Sequence, residues 1–206
     1  MCIRDRVYNG IALEDFATLD VPRFAKPTVC YVGRLVRYKR VDDLLRAIVK
    51  VREAVPALQV KIVGSGPEEA SLRKLAKSLG LDGCVEFLGF VPKHRFALET
   101  MARSHVVCLP SAVEGFGMVV VEAMACGTPV VASALPPIRE ITREGHGALL
   151  FDCGDVPALA RRLISALTDE GLRTRCAEQG RLLAREYDWK PLAAKVETIY
   201  QSLLRA

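Results

Sequence analysis

Two carboxylates bracket the string Glu114-Gly115-Phe116-Gly117-Met118-Val119-Val120-Val121-Glu122, and a glycine pair lies beside the first of them. The apolar run Val106-Val107-Cys108-Leu109-Pro110-Ser111 ahead of it reads as a buried strand. The apolar run behind it reads as a helix that stops at Cys126-Gly127-Thr128-Pro129. Glu114 is therefore expected in a strand-to-helix loop and Glu122 inside the helix. Backbone N–H groups at Gly115, Phe116 and Gly117 are expected at the helix N-terminus, where unsatisfied donors and the helix dipole favour an anion. Two carboxylates beside an anion hole suit a ligand with hydroxyls on both sides of a phosphate, as in a nucleotide sugar. Taken alone, a Glu pair at this spacing is commonly a solvated helix face plus a loop charge. The rarer context Pro-Ser-x-x-Glu-Gly-Phe-Gly argues for the ligand.

Two cations point to the same chemistry. The β-rich Thr28-Val29-Cys30-Tyr31-Val32 runs into Gly33-Arg34-Leu35, and after Lys39 a helical pattern begins at Val41-Asp42-Asp43-Leu44-Leu45. Arg34 and Lys39 thus fall between a strand's C-terminal edge and a helix start, where ligands collect in open α/β sheets. A guanidinium grips phosphate oxygens as a fork, and an ammonium adds a mobile point charge.

With these strings in view, the chain resembles the C-terminal, donor-binding domain of a GT-B glycosyltransferase of family 4, the retaining group 1 transferases. Its Glu-x7-Glu element is similar to Glu114 through Glu122, and its Gly-Arg-Leu…Lys element to Gly33, Arg34, Leu35 and Lys39. The resemblance implies that Glu114 lies against the donor hexose and Glu122 accepts from the ribose. It likewise implies that Arg34 and Lys39 neutralise the leaving diphosphate, with Gly33, Gly115, Phe116, Gly117 and Met118 lining the donor site. Val91, after Phe87-Leu88-Gly89-Phe90, takes the position that touches the nucleobase. The implied reaction is hexose transfer from a nucleoside diphosphate sugar with retention, without a metal or other cofactor, and with no protein nucleophile assigned. Three other readings stay open: an inactive nucleotide-sugar binding module, a nucleotide-sugar epimerase, and a dehydrogenase-like dinucleotide domain.

The chain also departs from the family pattern. Arg40 stands where a Gly commonly follows the Lys, and either crowds the pocket or adds a third cation. Pro136-Pro137-Ile138-Arg139-Glu140 replaces a glycine-rich loop and is expected to be stiffer. Gly64-Ser65-Gly66-Pro67 lacks the third Gly of a dinucleotide fingerprint, because Glu69 stands there, and reads as a tight turn with Pro at the first helical position.

The elements that must hold these residues alternate. Strands are expected near 28–33, 58–64, 84–88, 105–109, 129–132 and 148–151, with helices between. That order implies an α/β, Rossmann-like, mainly parallel sheet with helices on both faces. Residues 155–168, 170–186 and 188–205 read as a helical extension, with Asp155 and Asp188 as N-caps. The expected division is 1–27 as a truncated start and interdomain linker remnant, 28–186 as the donor-binding domain, and 187–206 as a closing helix packing toward an absent N-terminal domain. Val7-Tyr8-Asn9-Gly10-Ile11 through Phe16 resembles the family's linker end, which implies that the acceptor domain is missing. Residues 1–6 lack the apolar centre of a signal peptide.

Composition supports one α/β core: 206 residues, 50% hydrophobic and 26% charged. The net charge of +5 comes without a basic run interleaved with aromatics, which argues against nucleic acid and fits a diphosphate ligand or a peripheral membrane association through the missing half. Seven cysteines without a Cys-x-x-Cys, several in apolar strands, look reduced and cytoplasmic. His94, His105 and His146 show no metal spacing and read as surface or packing residues.

Overall fold

A computed structural model describes residues 7–19 and 21–204. Six strands form one parallel sheet: β1 (Thr28–Val32), β2 (Gln59–Val63), β3 (Val85–Gly89), β4 (Val106–Leu109), β5 (Val130–Ser133) and β6 (Ala148–Phe151), in the order β3-β2-β1-β4-β5-β6. Thr28 pairs with Gln59 on one side of β1, and Val29 with Val106 on the other. The chain leaves β1 toward one edge of the sheet and returns to lay β4 on its other flank. The C-terminal ends of β1 and β4 therefore border the crevice where an open α/β sheet takes its ligand.

The helices are α1 (Leu13–Ala17), α2 (Val41–Ala54), α3 (Glu69–Ser78), α4 (His94–Arg103), α5 (Met118–Ala125), α6 (Pro136–Ile141), α7 (Val156–Thr168), α8 (Glu170–Ala184) and α9 (Trp189–Leu204). Strand alternation sorts them onto two faces. Val29, Tyr31, Val106 and Cys108 join the core with residues of α2, α3 and α7, whereas Cys30, Val107 and Leu109 join the core with residues of α4, α5 and α6. In α2, Val41, Leu44, Leu45, Ile48 and Val51 follow a helical stripe and are all buried. Helix α5 carries three consecutive valines that disfavour helix locally, but Val120 and Val121 are fully buried, and packing overrides propensity. It ends at Ala125, capped by Cys126, with Gly127 at φ +66°.

The helical extension follows the sequence reading with small shifts. Asp155 caps α7 by accepting from Ala158 N–H at 2.8 Å, and Asp169 caps α8 by accepting from Leu172 N–H at 2.8 Å. Between α8 and α9 the chain tightens into a 3-10 turn at Arg185–Tyr187 rather than continuing the helix. Residues near the start of the described chain dock there. Ile11 N–H donates to Tyr187 C=O at 2.8 Å and Trp189 N–H donates to Ile11 C=O at 3.0 Å. Gly10 is required by the contact, since a methyl at its Cα would sit 2.6 Å from the Trp189 ring. Among the described residues no helix is long and apolar enough to cross a membrane.

Arg40 neither crowds the pocket nor adds a cation to it. It sits in the left-handed region at φ 50°, ψ 40°, where the absence of a side chain is an advantage, and its Nε bonds the buried Asp43 carboxylate at 2.6 Å. Both Arg40→Gly and Arg40→Ala lose that ion pair, but only alanine keeps a strained Cβ. Arg40→Gly is expected to be more stable than Arg40→Ala by about 1 kcal/mol in urea unfolding. Equal midpoints would show that the backbone at this position is not strained.

Candidate functional site

The site is built on two interlocked loops after β1 and β2. Gly33 N–H donates to Val63 C=O at 3.0 Å, Leu35 N–H to Ser65 C=O at 2.9 Å, and Glu68 N–H to Leu35 C=O at 3.0 Å. The approach is so close that a Cβ on Gly64 would lie 1.9 Å from the Gly33 carbonyl oxygen, and one on Gly66 would lie 2.3 Å from that of Leu35. The glycines of the Gly-x-Gly string thus allow this close approach of the two loops, and Gly64 and Ser65 also face the cavity beside Arg34. Pro67 precedes the cap Glu68 instead of opening α3, because Glu69 N–H closes a turn on Gly66 C=O. From below, the buried Tyr31 hydroxyl donates to Arg34 C=O at 3.0 Å. The backbone of Arg34 is pinned while its side chain stays exposed.

Arg34 and Gly33 line a cavity of about 570 Å³ with Val32, Val63, Phe90, Val91 and His94. Val91 thus lies in the same cavity wall as Arg34. Phe90 beside it is 73% exposed, an aromatic face offered to the cavity that the sequence reading passed over.

Lys39 ends a 3-10 turn, Arg37–Lys39, and that turn is tied to the loop after β4 by Ala112 N–H donating to Tyr38 C=O at 2.7 Å. The tie brings Lys39 Nζ to Glu114 Oε1 at 2.6 Å, with side chains only 17% and 10% exposed. An ion pair this sheltered is geometrically committed, unlike a surface pair. Lys39, Glu114, Phe116, Gly117 and Met118 share a hollow of about 280 Å³. A second hollow, about 430 Å³, runs from Glu114, Gly115 and Phe116 to Glu140.

Helix α5 begins at Met118, capped by Gly117 at φ +98°, so the open N–H groups of its first turn belong to Met118 and Val119. Gly115 and Phe116 precede the helix in the loop, one step earlier than the sequence suggested. Glu122 lies within α5, as expected, and is 9% exposed. Burial raises its pKa above the ordinary carboxylate value, and His94 opposes that rise. His94 Nε2 is 3.1 Å from Glu122 Oε1. His94 is therefore more than the surface or packing residue it appeared to be. No local signal marks the pair, because 28 residues separate its members.

A family model described as "Glycosyl transferases group 1" matches residues 22–183. The chain belongs to the group 1 glycosyl transferases. The phosphatidyl-myo-inositol mannosyltransferase of Mycobacterium leprae is 39% identical over 201 residues, covering 95% of this chain and 52% of that protein. The sucrose-phosphate synthase of Thermosynechococcus elongatus superposes with a TM-score of 0.82 at 28% identity over 97% of this chain and 52% of that one. Anabaena HepE in complex with UDP gives a TM-score of 0.83 at 24% identity, over 95% of this chain and 57% of that one. The chain spans about half the length of the relatives it matches, and its sheet is that of the C-terminal, Rossmann-like half of the GT-B fold.

Within this group 1 transferase domain, the departure at the proline pair resolves. Pro136 and Pro137 begin α6 instead of stiffening a loop, since proline's fixed φ suits a first helical turn. Arg139 donates to Ala134 C=O at 3.1 Å and pairs with Glu144 at 3.2 Å. Glu140 accepts from the Tyr8 hydroxyl at 2.6 Å and faces the hollow below Glu114. His105 is structural: its Nδ1 accepts from Thr28 N–H at 3.2 Å, and burial, then Arg173 and Arg23, lower its pKa.

Proposed function

We propose that this chain is the donor-binding half of a retaining family 4 glycosyltransferase that takes a hexose from a nucleoside diphosphate sugar. The observation that carries the reading is the sheltered Lys39–Glu114 pair set against the first turn of α5, with Arg34 at the rim of the adjoining cavity. A diphosphate lying between Arg34, Lys39 and the Met118 and Val119 amides meets positive potential on three sides. The base then rests against Phe90 and Val91, the ribose hydroxyls reach Glu122, and the hexose reaches Glu114. Leaving-group stabilisation by fixed cations and amides is the main catalytic contribution of this half. A relative named as a mannosyltransferase supports a hexose donor. The acceptor belongs to the remainder of a longer protein, which is also where any peripheral contact with a membrane lies, and the reaction is placed in the cytoplasm.

On this reading the diphosphate's charge is met by Arg34 and Lys39, and nucleotide binding needs no divalent cation. Calorimetry with UDP, GDP and ADP, each with and without EDTA, tests it. At least one nucleotide is expected to bind with an affinity unchanged within about twofold by chelation, since direct charge-assisted contacts replace a bridging metal. Collapse of every affinity in EDTA would overturn the metal-free reading.

A further inference from the structure

We infer that His94 is a positioning residue for the donor: its Nε2 holds Glu122 Oε1 and leaves the second carboxylate oxygen to the vicinal hydroxyls of the nucleotide ribose. The inference rests on the donor-site reading above and adds a residue and a pH dependence to it. Glu122 projects from a nearly all-apolar helix, and among the described residues its side chain has one hydrogen bond, to His94. His94 is the first residue of α4 and is 65% exposed on its side chain, so its imidazole stands between solvent and the carboxylate at the wall of the cavity that Arg34 and Phe90 line. A carboxylate with one oxygen fixed presents the other in a set direction, which a freely turning one does not.

The electrical surroundings give the pair its consequence. His94 is the group from α4 that faces Glu122. From the cap of its own helix, one turn on, comes Cys126, whose thiol burial pushes up to about 12, so it is neutral. Arg23 and Arg181 lie beyond it at Gly127, past the far end of α5, and Arg34 stands across the cavity. His94 is thus the near group that opposes the rise burial imposes on the Glu122 carboxyl. Without it the carboxylate neutralises at higher pH and binds ribose more weakly.

The test is nucleotide affinity from pH 5 to 8.5 for the wild type, His94→Ala and His94→Gln, using whichever of UDP, GDP or ADP binds best. For His94→Ala the acid limb is expected to move toward neutrality by about one pH unit, which is about a tenfold loss of affinity below it. His94→Gln, a neutral donor, is expected to recover affinity at high pH and leave the acid limb displaced. In the free proteins, the Glu122 side-chain carboxyl resonance is expected to titrate at higher pH in His94→Ala than in the wild type. Superimposable pH profiles for the wild type and His94→Ala overturn the proposal, since loss of packing alone lowers affinity evenly across pH. If the wild type binds no nucleoside diphosphate at any pH, the donor-site reading fails and this role with it, whereas the carboxyl titration still reports whether the pair exists.

Discussion

Replacing Gly64 with alanine is expected to destabilise the domain by about 3 kcal/mol or more, near the upper end of what a single methyl does. Two costs add. The residue sits at φ +125°, which side chains rarely adopt, and the new Cβ would stand 1.9 Å from a backbone oxygen instead of a yielding side-chain tip. The loops after β1 and β2 must separate, and the hydrogen bonds from Gly33 and Leu35 stretch with them. For a chain of this length the loss corresponds to a fall of roughly 6–12 °C in Tm. Gly83→Ala is the control, because a methyl there has open space around it, and its Tm is expected to stay within about 2 °C of the wild type. Where Gly64→Ala remains folded, nucleotide affinity is expected to fall as well, through displacement of Arg34. A Tm matching that of Gly83→Ala would contradict the close approach of the two loops.

Glu122→Gln and Glu114→Gln are expected to fail in different ways. Glu122→Gln removes a charged acceptor from the ribose hydroxyls and is expected to weaken free nucleoside diphosphate by about 1.5–3 kcal/mol, roughly 10- to 150-fold. Glu114→Gln does not touch the nucleotide in the proposed pose. It removes the negative charge held 2.6 Å from Lys39 Nζ, so free nucleotide is expected to bind equally or up to a few-fold tighter. The intact sugar nucleotide is expected to lose the affinity its hexose adds. Calorimetry with nucleoside diphosphate and nucleoside diphosphate hexose on both variants separates the roles. Equal losses for both ligands in both variants would undo the assignment.

The fold was legible because its signals are local and repetitive. Six short apolar strands alternating with helical stripes specify a parallel sheet, and Thr28–Val32, Val106–Leu109 and Ala148–Phe151 fall where that pattern places them. The loop position of Glu114 and the helical position of Glu122 were equally local. What lay beyond reach were relations between distant loops. The pairing of Lys39 with Glu114 depends on a backbone bond from Ala112 to Tyr38, and neither residue announces it. His94 was missed because its partner lies on another helix. Arg40 was misplaced because a departure from the family's Gly names a cation without saying which way it turns, and Asp43, one helical turn away, decides that. Pro136 and Pro137 were read as stiffening a loop because the family comparison supplied the loop, whereas proline itself is equally at home at a helix start.

Trp189 is the single tryptophan in the chain, and its ring lies over Gly10 where residues 8–11 dock. Its intrinsic fluorescence is therefore a local signal, half solvent-facing at 51% exposure and remote from the sheet's core. An emission change without a matching loss of far-ultraviolet ellipticity reports release of that one segment. The same segment carries Tyr8, which with Tyr187 flanks Phe116 at ring-centroid distances of 5.9 and 5.6 Å. Light absorbed at 295 nm thus interrogates the seam behind the glycine pair, and the optical record of a titration separates rearrangement there from unfolding of the domain.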